Sequence, residues 1–176
     1  GDINFPLKRK LTPGEVLFSV NGRALDVRST GIVPNKRLAS PALDFDVDNG
    51  QLCIAGAGTL EGVPFDGAWQ TPLGPGAAEQ GSRVEADVTL SNAFLDAFSI
   101  ALPPGSLSGR GTGRLTMALK RGVAPDFSLV SNLSGLGLRL DAIGWSMSQG
   151  ATGRLEIDGT LSTPARIDRL ALSAPG

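Results

Sequence analysis

The stretch from residue 42 to residue 69, ALDFDVDNGQLCIAGAGTLEGVPFDGAW, constrains the fold more than any other part of the chain. Leu43 and Phe45 alternate with aspartates, which is the side-chain period of an extended strand. Turn-forming residues at 48–50 and 61–62 divide the stretch into three segments of this kind. The stretch therefore predicts a β-meander with one apolar face and one polar face.

The rest of the chain repeats this pattern, and its 24 glycines and 12 prolines favour many short strands separated by turns. Asn21-Gly22 predicts a hairpin between two of these strands. Loops are predicted at residues 31–41 and 71–81. The further strands are predicted at residues 16–20, 24–28, 83–90, 115–119, 127–129, 136–140, 155–157 and 167–172.

One short helix interrupts the strands. Ser91 is placed to cap it, and Phe94, Leu95 and Phe98 fall on one side of it before two prolines end it. A helix this short must pack on the sheet to be stable. The domain organisation is then a lead-in over residues 1–13 and a single β-groove domain over residues 14–176. Two similar meander units, at about 14–90 and 108–176, are joined by the helix near 91–100.

The apolar face must be buried against something, because a single sheet leaves it in water. Closure into a barrel, packing as a sandwich, and a half-closed groove filled by lipid tails all remain open. We expect a mainly β fold in which an antiparallel hairpin meander forms a twisted, groove-like half-barrel with one short helix. The apolar residues expected to line the groove are Phe45, Leu52, Ile54, Val84, Val88, Leu115, Met117, Leu138 and Leu155.

The residue inventory argues against several classes of function. The chain has no histidine and one cysteine, Cys53, so the commonest general base and the usual zinc ligand sets are missing. With 16 basic and 17 acidic residues, there is no charge excess that favours nucleic acid. No run is long enough for a membrane span and no signal peptide is visible. The sequence stops abruptly at Ala174-Pro175-Gly176, so we expect an excised fragment whose targeting segment lies outside it.

Three possible motifs lack residues or spacing that their chemistry requires. The aspartates at 44, 46 and 48 resemble a calcium loop, but Asn49 replaces its glycine and Ala55 its final glutamate. The glycine-rich runs at 56–62 and 109–114 lack the spacing and the following helix of a phosphate loop. Serines have no histidine to activate them. We therefore expect no enzyme activity, no metal and no cofactor.

Two runs carry a family resemblance. The 42–69 stretch resembles the repeated β-hairpin units of the AsmA-like superfamily, which includes the TamB and YhdP groups. The later run LPPGSLSGRGTGRLTMALKRGVAPDFSLVSNLSGLGLRLDAIGW, followed by GATGRLEIDGTL, resembles the YhdP-like region more closely. The resemblance covers about residues 24–175. The matching positions in the later run are Phe127, Leu129, Leu133, Gly135, Leu136, Leu138, Ile143 and Trp145.

The resemblance implies a periplasmic segment of a protein that other parts of the parent chain tether to the inner membrane. It implies an apolar β-groove that binds or conducts phospholipids for outer-membrane biogenesis and maintenance. Each buried methylene contributes about 0.8 kcal/mol, so an acyl chain can be held without directional chemistry. The alternative is a structural or protein-interaction β-domain with a closed core, no lipid cargo and functional sheet edges.

Overall fold

The structure is a computed structural model that describes residues 3–4, 17–30, 36–162 and 166–175, and β-strands dominate them. The described residues include two short helices, α1 (Ala77–Gln80) and α2 (Asn92–Ala97), and a single 3-10 turn at residues 141–143. The strands are β1 (Ile3–Asn4), β2 (Leu17–Ser29), β3 (Leu38–Asp48), β4 (Gln51–Leu60), β5 (Val63–Pro72), β6 (Ser82–Leu90), β7 (Leu107–Gly109), β8 (Gly111–Leu119), β9 (Asp126–Ser131), β10 (Leu136–Leu140), β11 (Trp145–Met147), β12 (Arg154–Thr160) and β13 (Arg166–Ser173).

Ten strands form one antiparallel sheet in the order β1-β2-β3-β4-β5-β6-β8-β9-β12-β13. The sheet is not closed, and β1 and β13 lie at its two ends. The remaining three strands form a small antiparallel sheet in the order β11-β10-β7, which we call the cap sheet. The prediction of a mainly β, antiparallel, unclosed sheet is confirmed. The two meander units share the large sheet, because β6 pairs with β8 over its whole length.

The central meander forms as predicted, and its turns follow from their residues. Asp48 ends β3, and its Oδ1 accepts hydrogen bonds from the backbone N–H groups of Gly50 and Gln51 at 2.7 and 2.8 Å. Glu61 and Gly62 both have positive φ, 51° and 82°, and they join β4 to β5. Two positive-φ residues define the tight turn whose twist matches that of paired strands.

The hairpin predicted at Asn21-Gly22 is wrong. β2 runs without a break through these residues, and every residue from Ser19 to Leu25 pairs with β3. The glycine serves packing instead of turning, since Gly22 lies directly opposite Phe45. A Cβ at position 22 would lie 2.5 Å from Cζ of the Phe45 ring. The glycine that indicated a turn in the sequence is therefore needed in the sheet because it leaves room for the Phe45 ring.

The loop predicted for residues 31–41 is too long, because β3 already begins at Leu38. Pro41 is tolerated there since the pairing of β3 with β4 is interrupted between Ala39 and Asp44. Residues 31–35 lie outside the described part of the chain. The same holds for the predicted lead-in over 1–13, apart from the two residues of β1, which pair with the start of β2.

The predicted helix is confirmed as α2. The Ser91 Oγ caps it by accepting a hydrogen bond from the Phe94 N–H at 3.4 Å. Phe94 and Leu95 pack against the core, which is what a helix of six residues requires. At its other end, the Lys36 ammonium donates a hydrogen bond to the Ala97 carbonyl, so a cation lies near the negative end of the helix dipole.

The chain leaves the large sheet at Ser131 to build the cap sheet. The Ser131 hydroxyl donates to the Thr112 carbonyl at 2.7 Å and accepts from the Leu133 N–H at 3.0 Å, so this buried polar group has two partners. The chain returns beside the same point, where the Gly153 N–H donates to the Asn132 carbonyl. The alternation in these residues predicted strands of the meander and gave no indication of a separate sheet.

The buried core lies between the cap sheet and one end of the large sheet. The large sheet contributes Ala86, Val88 and Leu90 from β6 and Leu129 from β9. The cap region contributes its own buried apolar side chains, Leu107, Leu133, Leu136 and Met147. The cap sheet therefore buries only part of the apolar face of the large sheet.

We predict that Leu136→Ala lowers the free energy of unfolding by about 2–5 kcal/mol, because the side chain is 2% exposed and its loss leaves a cavity. Urea denaturation followed by circular dichroism measures the change. Ile143→Ala is the control, since that side chain is 73% exposed and should change stability by no more than about 0.5 kcal/mol. Equal effects of the two substitutions would contradict a core beneath the cap sheet.

Candidate functional site

One row of apolar side chains crosses the large sheet outside the cap. Directly opposed residues of antiparallel strands project to the same face, so the strand register fixes the row. It starts at Gly22 of β2 and ends at Ile167 of β13. Between them lie, one on each strand from β3 through β12, Phe45, Ile54, Trp69, Val84, Met117, Phe127 and Gly159. We call the six large side chains, Phe45, Ile54, Trp69, Val84, Met117 and Phe127, the open strip.

The open strip is half-buried along its whole length. None of its six side chains belongs to the buried core or packs against it. A neighbouring row on the same face adds Val47 and Leu52, which are half-buried as well. From β3 to β9 the strip crosses five strand spacings, about 24 Å at about 4.8 Å each. This exceeds the roughly 15 Å that one leaflet of a bilayer allots to an acyl chain.

Glycines opposite phenylalanines shape both ends of the strip. Phe45 lies opposite Gly22, and Phe127 lies opposite Gly159. A Cβ at Gly159 would lie 2.9 Å from Cε1 of the Phe127 ring, so that ring, like the Phe45 ring, rests over the backbone of the neighbouring strand. Aromatic side chains laid across glycines cover backbone that would otherwise be open to water. The strip thereby ends in flat aromatic surfaces.

Two hydroxyl groups interrupt the apolar row beside the strip, on the side away from the cap. In this row, which also contains Val47, Leu52 and Leu119, Thr71 and Ser82 lie on adjacent strands, and the Ser82 hydroxyl donates to the Thr71 Oγ1 at 2.9 Å. These two hydroxyls satisfy each other, so they add no unpaired polar group to the face. The apolar surface is therefore bounded by the cap sheet on one side and by hydroxyl groups on part of the other.

The nine residues expected to line a groove separate into two groups. Eight of them project from one face of the large sheet, and Leu138 lies on the cap sheet. Phe45, Ile54, Val84 and Met117 belong to the open strip, and Leu52 to the row beside it. The others lie in or against the core under the cap: Val88, which is 7% exposed, and Leu115, Leu138 and Leu155.

Two members of the strip were not expected as site residues. Trp69 and Phe127 are absent from the nine residues expected to line the groove, yet both stand in the row with Val84 and Met117. The Trp69 indole Nε1 is buried and has no hydrogen-bond partner among the described residues. Their place in the row follows from the register between neighbouring strands. The alternation within a single strand does not reveal that register.

The opposite face of the sheet is charged. Arg114 donates to Asp87 at 3.2 Å and to Glu85 at 3.1 Å, and Arg83 donates to Glu85 at 2.6 Å. The hydrogen bond from Arg83, followed by that from Arg114, holds the pKa of the Glu85 carboxyl below its usual range. These charges neutralise one another at an exposed surface, where ion pairs contribute little to stability. The network therefore indicates that this face of the sheet is exposed to solvent.

The described part of the chain offers no cluster of metal ligands. It holds no group of three or more Cys, Asp or Glu side chains placed to bind a metal ion. The single cysteine, Cys53, is a free thiol on the polar face. No helix within the described ranges is long and apolar enough to cross a membrane.

Comparison of the chain with models of protein families, with curated proteins and with solved structures found no match in any of the three. The fold and the strip define the class as an all-β protein with one partly capped apolar sheet face. Membership of the AsmA-like superfamily stays a prediction from the sequence motifs.

We predict that Gly22→Ala destabilises the protein by about 1–3 kcal/mol, because the added methyl displaces the Phe45 ring. Alanine normally stabilises a strand relative to glycine, so the sign of the effect is diagnostic. Adding Phe45→Leu should remove most of the penalty, as measured by urea denaturation. Gly50→Ala is the control, since its nearest neighbour would be 3.6 Å away. A penalty that persists in the double variant would contradict the ring placement.

A second prediction concerns the Arg23–Asp44 pair, whose Nε–Oδ1 distance is 2.6 Å. The hydrogen bond from Arg23 holds the pKa of Asp44 below its usual range. Arg23→Gln should raise that pKa towards the usual range, while the pKa of Glu85 stays low; side-chain NMR titration measures both. The pair favours the folded state above the unfolded carboxyl pKa, and this is lost as pH falls through the folded pKa. An unchanged Asp44 pKa would exclude the pairing in solution.

Proposed function

We propose that the open strip binds the acyl chain of a phospholipid or a related lipid. The observation that carries the proposal is the row of six apolar side chains on six adjacent strands, half-buried and separate from the core. Contiguous apolar surface bordered by polar residues marks interaction sites on soluble proteins. A long, narrow and uncharged surface fits a hydrocarbon chain better than it fits a charged or polar ligand.

Energetics support binding by burial alone. A methylene group removed from water contributes about 0.8 kcal/mol, so ten of them give about 8 kcal/mol before the costs of association. Those costs amount to several kcal/mol, which leaves a weak, reversible complex for a chain covered on one side only. A protein that passes lipids onward needs such reversibility, and it needs no catalytic group.

The sequence resemblance extends the proposal to a setting. The chain would be a periplasmic segment of an AsmA-like protein, tethered to the inner membrane by parts of the parent chain outside it. It would bind or conduct phospholipids for the biogenesis or maintenance of the outer membrane. In this setting the large sheet supplies the apolar surface, and the cap sheet closes that surface along one side.

The alternative function is a protein-interaction β-domain without lipid. The observation that favours it is the closed core, in which neighbouring side chains bury Leu133 and Leu136 almost completely. A domain stabilised in this way could present its open strip or its sheet edge to another protein. The two functions differ in whether hydrocarbon occupies the strip.

We predict that the purified chain carries phospholipid and that Met117→Asp removes it without unfolding the sheet. A carboxylate at this half-buried position would have to lose its hydration when an acyl chain covers it. Native mass spectrometry, followed by organic extraction and lipid identification, gives the occupancy, and circular dichroism checks the fold.

Thr116→Asp is the matched control, because it places the same charge one residue away on the polar face. Val88→Asp is a second control, expected to unfold the domain since it puts a carboxylate in the core. Lipid that persists in Met117→Asp would exclude the strip as its site. A lipid-free, stable wild-type protein that binds no hydrophobic dye would favour the protein-interaction domain.

A further inference from the structure

The last strand, β13, has an outer edge with which no other strand of the described residues pairs. Such an edge presents free N–H and C=O groups and invites another strand. Proteins usually protect an edge with charges, proline or a bulge. The first half of β13 is protected in this way: a register shift lies opposite Asp158 and Gly159, and Arg166, Asp168 and Arg169 are charged.

The second half of β13 has none of this protection. Residues 170–173 read Leu-Ala-Leu-Ser and contain no charge, no proline and no register shift. Leu170 is 62% exposed and Leu172 is 37% exposed. Their neighbours across β12, Ile157 and Leu155, pack against the core. The apolar rows therefore run to the edge of the sheet and stop there in water.

We propose that a second copy of this chain pairs with the outer edge of β13, antiparallel and about a two-fold axis through Ala171. The axis is perpendicular to the sheet, so the apolar faces of the two copies lie on the same side. Leu170 then lies opposite the second copy's Leu172, and this contact occurs twice. Arg169 lies opposite the second copy's Ser173, and the two Ala171 residues face each other.

Self-complementarity of this segment is the reason for choosing a second copy as the partner. A two-fold register centred on Arg169 would place two guanidinium groups opposite each other, which is destabilising. A register centred on Leu170 would bring Asp168, at the register shift, opposite a leucine. Registers offset by one residue would join an apolar face to a polar one. A register centred on Leu172 would oppose only two leucines and set each Leu170 against an alanine, Ala174. The register centred on Ala171 joins four leucines and opposes no like charges.

Disulfide trapping tests this register directly. In a Cys53→Ser background, Ala171→Cys places two thiols at directly opposed positions, where the Cα atoms are about 4.5–5.5 Å apart and a disulfide can form. Mild oxidation with copper phenanthroline should yield a covalent dimer of twice the 18.1 kDa monomer. Ser173→Cys lies on the same face two residues away, but its two copies would be about 14 Å apart and should not cross-link.

Mixing Ser173→Cys with Arg169→Cys should restore cross-linking, because the proposed register sets these positions opposite each other. Equal cross-linking of Ala171→Cys and Ser173→Cys would overturn the register, since only nonspecific contact links both. A third pair of substitutions tests dimer formation in the absence of a cross-link. Leu170→Lys with Leu172→Lys should raise the dimer dissociation constant at least about tenfold in sedimentation analysis.

Ile143→Lys is the matched control for the lysine variants, because it changes an exposed apolar side chain away from β13 and should leave the dissociation constant unchanged. A wild-type chain that sediments as a monomer up to the highest soluble concentration would overturn the proposal. Neither the cross-linking result nor the sedimentation result depends on whether lipid binds, because the proposed contact lies at the outer edge of β13 and not at the open strip.

Discussion

The structure depends on the rule that opposed residues of antiparallel strands project to the same face. Each strand by itself alternates apolar and polar residues, and the register then aligns these alternations across nine strands. One face of the sheet collects the leucines, valines and aromatic rings, while the other collects arginine–carboxylate pairs such as Arg114 with Asp87. The apolar face is larger than any single element of the chain can cover.

The cap sheet covers part of this apolar face. It folds back over one end of the strands and makes a core in which Leu136 and Met147 meet Val88 and Leu90. Beyond the cap sheet, phenylalanine rings lie across glycines of neighbouring strands, as Phe45 does over Gly22. The rings cover backbone, but they leave their own outer surfaces half-exposed. What remains uncovered is the open strip, and any function assigned to the domain must account for it.

Much of this architecture could be predicted from the sequence because it is local. Alternation gave the strands of the meander, Glu61-Gly62 gave a two-residue turn, and Ser91 gave the start of α2. The errors arose where non-local packing overrides local signals. Asn21-Gly22 is a turn motif, yet Phe45 on the next strand uses its missing side chain. Alternation in β10 indicated a strand correctly but could not tell which sheet it joins, so Leu138 was assigned to the wrong one.

The same distinction applies to the site. Apolar residues that share a face are interchangeable in a one-dimensional pattern, so Val84 and Val88 looked equivalent before the fold was known. Four residues along β6 separate an open surface from a dry core, because the edge of the cap falls between them. Val88 can then serve stability alone, whereas Val84 is free to meet a ligand. A surface that binds by burial is thus defined by where the fold stops covering it, and no residue type marks that boundary in the sequence.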